Sequence, residues 1–108
     1  MSQKRELYYG LIRIHVLLHA HEEPIFGLAM MRELAHHGYR IGPGTLYPLL
    51  HGLERAGLLK CLHHGDGERR KMYRITAAGR KALAEAREKV NELYCELHEA
   101  HPRRIGTA

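Results

Sequence analysis

Apolar residues at the start of the chain recur at helical spacing, but on two faces rather than one. Leu7, Leu11, Ile14 and Leu18 form one stripe, and Tyr8, Ile12 and Val16 form a second on the adjoining side. Only a narrow sector around Gly10 and Arg13 stays polar. The spacing predicts a first helix over residues 4–20 that must be covered twice, once by the chain's own core and once by a second subunit. Glu22-Glu23-Pro24 breaks it, and a second helix is expected over residues 27–37 with Leu28, Met31, Leu34 and Ala35 inward. Gly38 closes that helix as a left-handed cap. Only Tyr39-Arg40-Ile41-Gly42 then separates it from a third helix, which places a short turn between two short helices.

The third helix has the sharpest division. At about 100° per residue, Leu46, Leu49, Leu50 and Leu53 fall on one face and Tyr47, Pro48, His51 and Arg55 on the other, which is nearly free of acid. Tyr47 has a second reading as a core residue, because its phase borders the leucines. Pro48, with no amide to donate, is expected near the helix start or at a bend. Gly52 costs about 1 kcal/mol inside a helix, which implies close backbone approach, either to the second helix by packing or to DNA. Gly57 ends the helix. Residues 58–64 and 70–75 read as two strands with a tip at residues 65–68, and Arg69, Arg70, Lys71 and Arg74 follow directly after that tip. Cations on a protruding arm beside an exposed helix reach phosphates or a minor groove. Thr76 is a good N-cap for a last helix running to about residue 99. There Leu83, Ala86, Val90, Leu93, Leu97 and Ala100 alternate three-four in spacing as a coiled-coil seam. The polar tail beyond residue 102 is expected to fray. The resulting fold class is mainly α with a small β-hairpin, in two parts: residues 1–75 as the DNA-binding unit and residues 76–108 as a dimerisation helix with its tail.

Composition narrows the partners. The 108 residues make one domain of a size that gains by pairing with a copy of itself. The 17 Lys and Arg against 12 Asp and Glu leave a net charge of +5, which favours a polyanion. Cys61 and Cys95 have no disulfide-framework spacing and no signal segment opens the chain, so reduced thiols and a cytoplasmic location are expected. The apolar runs fall well short of the roughly 20 residues of a membrane span. An enzyme is poorly served: the single serine is Ser2 and the single aspartate is Asp66, there is no phosphate-cradling glycine loop, and neither Cys61 nor Cys95 has an evident orienting group for a Cys-His pair. A pure interaction module that dimerises without DNA is the other rival. It would function without the cations at Arg69 to Lys71.

Gly44-Thr45-Leu46-Tyr47-Pro48-Leu49-Leu50 with Leu53-Glu54-Arg55-x-Gly57-Leu58-Leu59, then Lys71-x-Tyr73-Arg74-Ile75-Thr76-x-x-Gly79, resembles the PadR family of bacterial winged-helix repressors over residues 8–83. The chain is similar to the short branch with a single helix after the wing. The resemblance implies a homodimer whose recognition helices enter successive major grooves of a pseudo-palindromic operator, repressing a nearby gene until a small-molecule effector loosens the grip. Carried over, Thr45, Tyr47, Pro48 and His51 on the third helix, with Arg69, Arg70 and Lys71 on the wing, face the DNA; Arg55 joins them by its helical phase. Leu7, Leu11, Leu83, Val90, Leu93 and Leu97 are the expected dimer residues. Two positions depart from the family pattern. Gly27-Leu28 stands where a Gly-Tyr pair is usual, which either weakens binding or passes a backbone contact to Tyr39 or Arg40, and Met72-Tyr73 replaces Tyr-Tyr. No Trp is present, which argues against a Trp-closed drug slot.

Ten histidines raise a second effector chemistry. His15 and His19 stand at i, i+4, and Cys95, His98 and Glu99 share a face of the last helix, spacings that suit Zn²⁺, Cd²⁺ or Ni²⁺. Cys61 and His63 alternate onto one strand face, with His64 beside them. None of these sets is a closed four-ligand signature, and His36-His37 also complement a helix C-terminus. No cofactor is required for the fold. The expected effector is an organic molecule in an apolar gap lined by Leu11, Val16 and Leu93, with the alternative a metal-responsive repressor that uses His15, His19, Cys95 and His98 near the subunit interface.

Overall fold

The computed structural model describes residues 3–63 and 71–99. Along the chain come α1 (Gln3–Glu22), β1 (Ile25–Phe26), α2 (Gly27–His36), α3 (Pro43–Arg55), β2 (Leu59–His63), β3 (Lys71–Ile75) and α4 (Ala77–Leu97). The strands form an antiparallel sheet in the order β1-β3-β2, with Ile25 opposite Tyr73 and Cys61 opposite Tyr73 on the other side. β1 was not expected: two residues are too few to show an alternating pattern. Pro24 ends α1, because it biases Glu23 away from the helical region, and the two residues after it pair with β3.

The core gathers Ile12, Val16 and Leu17 of α1, Met30 and Leu34 of α2, all four leucines of α3, Leu59 and Tyr73 of the sheet, and Leu83 of α4. Each fully buried side chain of this kind contributes about 1.5–3 kcal/mol. The four leucines of α3 therefore fix its rotation, since turning it by one residue would expose at least one of them. α2 is also amphipathic, but its inward row is Gly27, Met30 and Leu34, with Met31 and Ala35 half-buried, and Leu28 points outward. The periodicity allowed either phase. β1 decides it, because pairing of Ile25 with Tyr73 sets the rotation at which α2 begins.

Two helix ends are built alike. In α2, Tyr39 N donates to Leu34 O at 2.8 Å and Gly38 N to Ala35 O at 3.0 Å, with Gly38 at φ +90°. In α3, Leu58 N donates to Leu53 O and Gly57 N to Glu54 O, both at 2.9 Å, with Gly57 at φ +80°. Both are Schellman closures, in which a left-handed glycine turns the chain and satisfies the last carbonyls. The first leads into the helix-helix turn and the second into the hairpin.

Thr76 joins the second closure to α4. Its hydroxyl donates to Gly57 O at 2.6 Å and accepts from Gly79 N at 3.0 Å, while its amide donates to Leu58 O at 3.1 Å. Gly79 packs so tightly here that a Cβ would run into the Leu58 carbonyl and, at 2.6 Å, Ile75 Cγ1.

Two further expectations change. Leu83, expected on a dimer seam, is 5% exposed in the chain's own core, because the first turns of α4 lie against α1 and β3. Val16, expected to line a ligand gap, is fully buried. Of the two places expected for Pro48, the helix start is taken by Pro43, and Pro48 lies in the second turn of α3. Arg69, Arg70, the hairpin tip at 65–68, His64 and Ala100 lie outside the described residues.

Removing the Thr76 hydroxyl should expose the cost of this junction: Thr76→Ala is expected to lose about 1–2 kcal/mol. Gly79→Ala is expected to lose about 1–3 kcal/mol, since backbone must move to admit the methyl group. Urea denaturation at fixed protein concentration reads both. An unchanged midpoint for Gly79→Ala would show that α4 does not press on Leu58 in solution.

Candidate nucleic-acid interface

Burying the leucines of α3 leaves Gly44, Pro48, His51 and Arg55 nearly in line along its outer side at about 100° per residue, flanked by Thr45 and Gly52. Gly44, Pro48 and Arg55 are exposed; Thr45, His51 and Gly52 are half-buried. The face is low in relief, with two glycines and a proline, and has no acidic residue on its midline. A methyl group at Gly52 would find no neighbour within 4 Å, so the expected packing of Gly52 against α2 does not occur. The absent side chain lowers the outer surface instead. Gly44 is equally open.

Tyr47 behaves differently from its neighbours. It is half-buried against the core, and its ring lies over Gly27 so closely that a Cβ there would fall 2.5 Å from Cε1 and 2.7 Å from the hydroxyl. The glycine that opens α2 makes room for this ring, and Tyr47 spans the join between the two helices at the edge of the outer face.

The helix N-termini add to the surface. Neither α2 nor α3 has a side-chain N-cap or an acidic residue in its first turn, and Pro43 occupies the N1/N2 region of α3. Such ends keep a partial positive charge that suits phosphate oxygens. On the hairpin, Arg74 is exposed and Lys71 is half-buried opposite His63. Tyr39, offered as a substitute backbone contact, is half-buried, packing edge-on to Tyr8 at 6.0 Å and His15 at 5.4 Å, whereas Arg40 is exposed.

The histidines of α1 acquire a partner that spacing along one helix does not show. His15, His19 and His37 bring their nitrogens within 4.8 Å of one another. His37 caps α2, and its ring stacks on that of His15 at 4.8 Å. Burial holds His15 below its ordinary pKa, with smaller contributions from His37 and His19, opposed by Glu33. Cys95 and His98, also expected as ligands, do not join this cluster: Cys95 is exposed on the outer part of α4, and His98 packs on Tyr94 at 4.3 Å.

Two helices joined by a tight turn, the second resting on an antiparallel hairpin, make a winged helix-turn-helix, a DNA-binding architecture. The family model for the "Transcriptional regulator PadR-like family" matches residues 16–85. The chain is 46% identical over 94 residues to the transcriptional regulator Rv3488 of Mycobacterium tuberculosis, covering 86% of this chain and 88% of that protein. A PadR family transcriptional regulator from Eggerthella lenta shares 36% identity over 89% of this chain and 88% of its own, with a TM-score of 0.73. At 23% identity and a TM-score of 0.76, a PadR-like regulator from Bacillus cereus shows the same fold over 85% of this chain and 92% of its own. The chain belongs to the PadR-like family of transcriptional regulators, and its place is that of a DNA-binding regulator. Among the described residues, no helix is long and apolar enough to cross a membrane.

The open backbone at Gly52 gives a two-sided expectation. Gly52→Ala should raise stability by about 1 kcal/mol, because it removes helix-interior glycine without a clash. It should also weaken operator binding, because the methyl group stands on the outer face. Equal operator affinity for the two proteins would place the Gly52 backbone away from the DNA.

Proposed function

We propose that the chain acts as a homodimeric repressor: two copies of α3 enter successive major grooves of a pseudo-palindromic operator, and an effector lowers the grip. The observation behind the dimer is the unpartnered apolar surface of the long helices. From Arg87 to Glu99 every residue of α4 and its cap is exposed, yet Val90, Leu93, Tyr94 and Leu97 are apolar, Leu93 at 53% and Leu97 at 71% exposure. On α1, Leu7, Leu11 and Leu18 are exposed on the stripe that the core leaves uncovered. α1 and α4 pack on one another, so these stripes belong to neighbouring helices. Apolar rows at three-four spacing are what a second copy covers.

On the DNA side, the reading assigns base contacts to Thr45, Pro48 and His51, flanking contacts to Tyr47 and Arg55, and phosphate contacts to Arg69, Arg70 and Lys71. A non-enzymatic role accords with the residues at hand: Cys61 is half-buried on β2, Cys95 is exposed on α4, and the chain has one serine and one aspartate. Two effector chemistries suit the scheme, an organic ligand between apolar helices and a divalent cation; the meeting of His15, His19 and His37 favours the second.

Replacement of Arg69, Arg70 and Lys71 by Ala should weaken binding to all sequences and flatten the dependence of log K on log salt by about 0.9 for each phosphate that the protein no longer neutralises. His51→Ala should instead change which operator variant binds best. Titration of promoter DNA at several salt concentrations reads both, and unchanged affinity in the triple variant would remove the wing from the interface.

Leu93→Glu with Leu97→Glu should place charge against the partner helix and dissociate the dimer. Sedimentation at micromolar concentration decides. A wild-type monomer, or a dimeric double variant, would move the interface elsewhere.

A further inference from the structure

We propose that His15, His19 and His37 bind one divalent transition-metal ion per chain, with Glu33 completing the site, and that the ion clamps α1 to the helix-turn-helix. The first half stands on this chain's geometry alone. The second rests on the dimeric regulator proposed above.

Three imidazoles from two separate helices meet here. His15 and His19 lie one turn apart on α1, a spacing that places two side chains side by side, and His37 reaches them from the C-terminal cap of α2. Their nitrogens lie within 4.8 Å of one another. Ligand nitrogens around a tetrahedral ion at about 2.0–2.1 Å stand roughly 3.4 Å apart, so closure needs shifts of about an ångström, within reach of side-chain rotation.

The carboxylates around the cluster are placed to support it. Glu33 Oε1 lies 3.5 Å from His37 Nε2 and 3.8 Å from His19 Nε2, close enough to reach an ion bound at those nitrogens as a fourth ligand. Glu22 Oε1 lies 3.5 Å from His19 Nδ1. A carboxylate on Nδ1 leaves Nε2 as the ligand atom, the usual outer-shell arrangement of metal-binding histidines. Three nitrogens with one oxygen and no thiolate select Zn²⁺, Ni²⁺ or Co²⁺ over Mg²⁺ or Ca²⁺.

The site's position gives it leverage. His37 precedes the Gly38 closure and the turn that delivers α3, and Tyr39 of that turn packs on His15 at 5.4 Å. α1 bears the uncovered Leu7, Leu11 and Leu18 stripe. An ion joining His37 to α1 therefore couples the start of the recognition helix to a helix of the proposed interface, where a small rotation changes the separation of two copies of α3.

Isothermal titration of ZnCl₂ and NiCl₂ into the tag-free, full-length protein tests the site, with visible absorption of the Co²⁺ form reporting the ligand set. One ion per chain at micromolar affinity or tighter is expected, weakened at least 100-fold in His19→Gln with His37→Gln, and unchanged in Cys95→Ser with His98→Ala. Glu33→Gln, an exchange near the surface, serves as a second variant should the histidine variant fail to fold, and should weaken binding about 10-fold. Binding no tighter than about millimolar, or binding that survives the histidine changes and is lost with Cys95 and His98, would overturn the site. Promoter affinity measured with and without saturating ion should differ by fivefold or more in the wild type and not in the histidine variant. Metal binding with unaltered promoter affinity would overturn the clamp and leave the site. Failure of the protein to bind promoter DNA in any condition would overturn the repressor reading, and calorimetry would still decide the metal.

Discussion

The junction at Thr76 is the constraint on which the rest of the molecule depends. One threonine side chain holds the carbonyl of Gly57, where α3 turns into the hairpin, and the amide of Gly79, where α4 begins, while its own amide holds Leu58. The end of the outward helix, the root of the wing and the base of the long arm are thereby tied at one point. Gly57 supplies the left-handed turn and Gly79 the lack of a side chain, so that two backbones meet where any larger residue would separate them. Displacing α4 from this point would also move β3, to which the junction belongs through Ile75, and with it the cationic arm that follows the tip.

That tie explains how a small protein offers two unlike surfaces. The leucines of α3 use up its inner side and turn Gly44, Pro48, His51 and Arg55 outward, while the core fills before α4 is half complete. Leu83 is the last residue of α4 in the core, and the helix continues for about four more turns with apolar residues that its own chain leaves uncovered. A low face with positive helix ends suits a groove lined by phosphates. Apolar rows on α1 and α4 suit another copy of themselves. The histidine cluster lies between these surfaces, where α1 meets the end of α2.

Much of the architecture was legible from spacing. The leucine face of α3, the two glycine closures, the threonine cap of α4 and the paired strands all rest on interactions between near neighbours or on one dominant periodicity. Other features depended on partners remote in sequence. Leu28 and Met30 compete for the inner side of α2, and only the pairing of Ile25 with Tyr73 breaks the tie. Of the two approaches expected at Gly52, to the second helix or to DNA, the first does not occur, and the glycine leaves an open outer surface. Tyr47 borders both faces of α3, and the space over Gly27 draws its ring toward α2.

The chain's own order of residues determined the class of protein, because hydrophobic periodicity, caps and turn glycines act over a few residues and the family motif lies within α3 and β3. Tertiary structure alone decided which apolar residues were left over and which polar ones met. Leu83 and Leu97 share a heptad pattern, yet one is core and the other exposed, because only the first turns of α4 find α1 and β3 beneath them. His15 and His19 are neighbours by helical spacing, whereas His37 joins them because the packing of α2 on α1 brings its cap across the intervening chain. Spacing along one helix specifies a pair of ligands; a third from another helix depends on where the core lets the two helices cross.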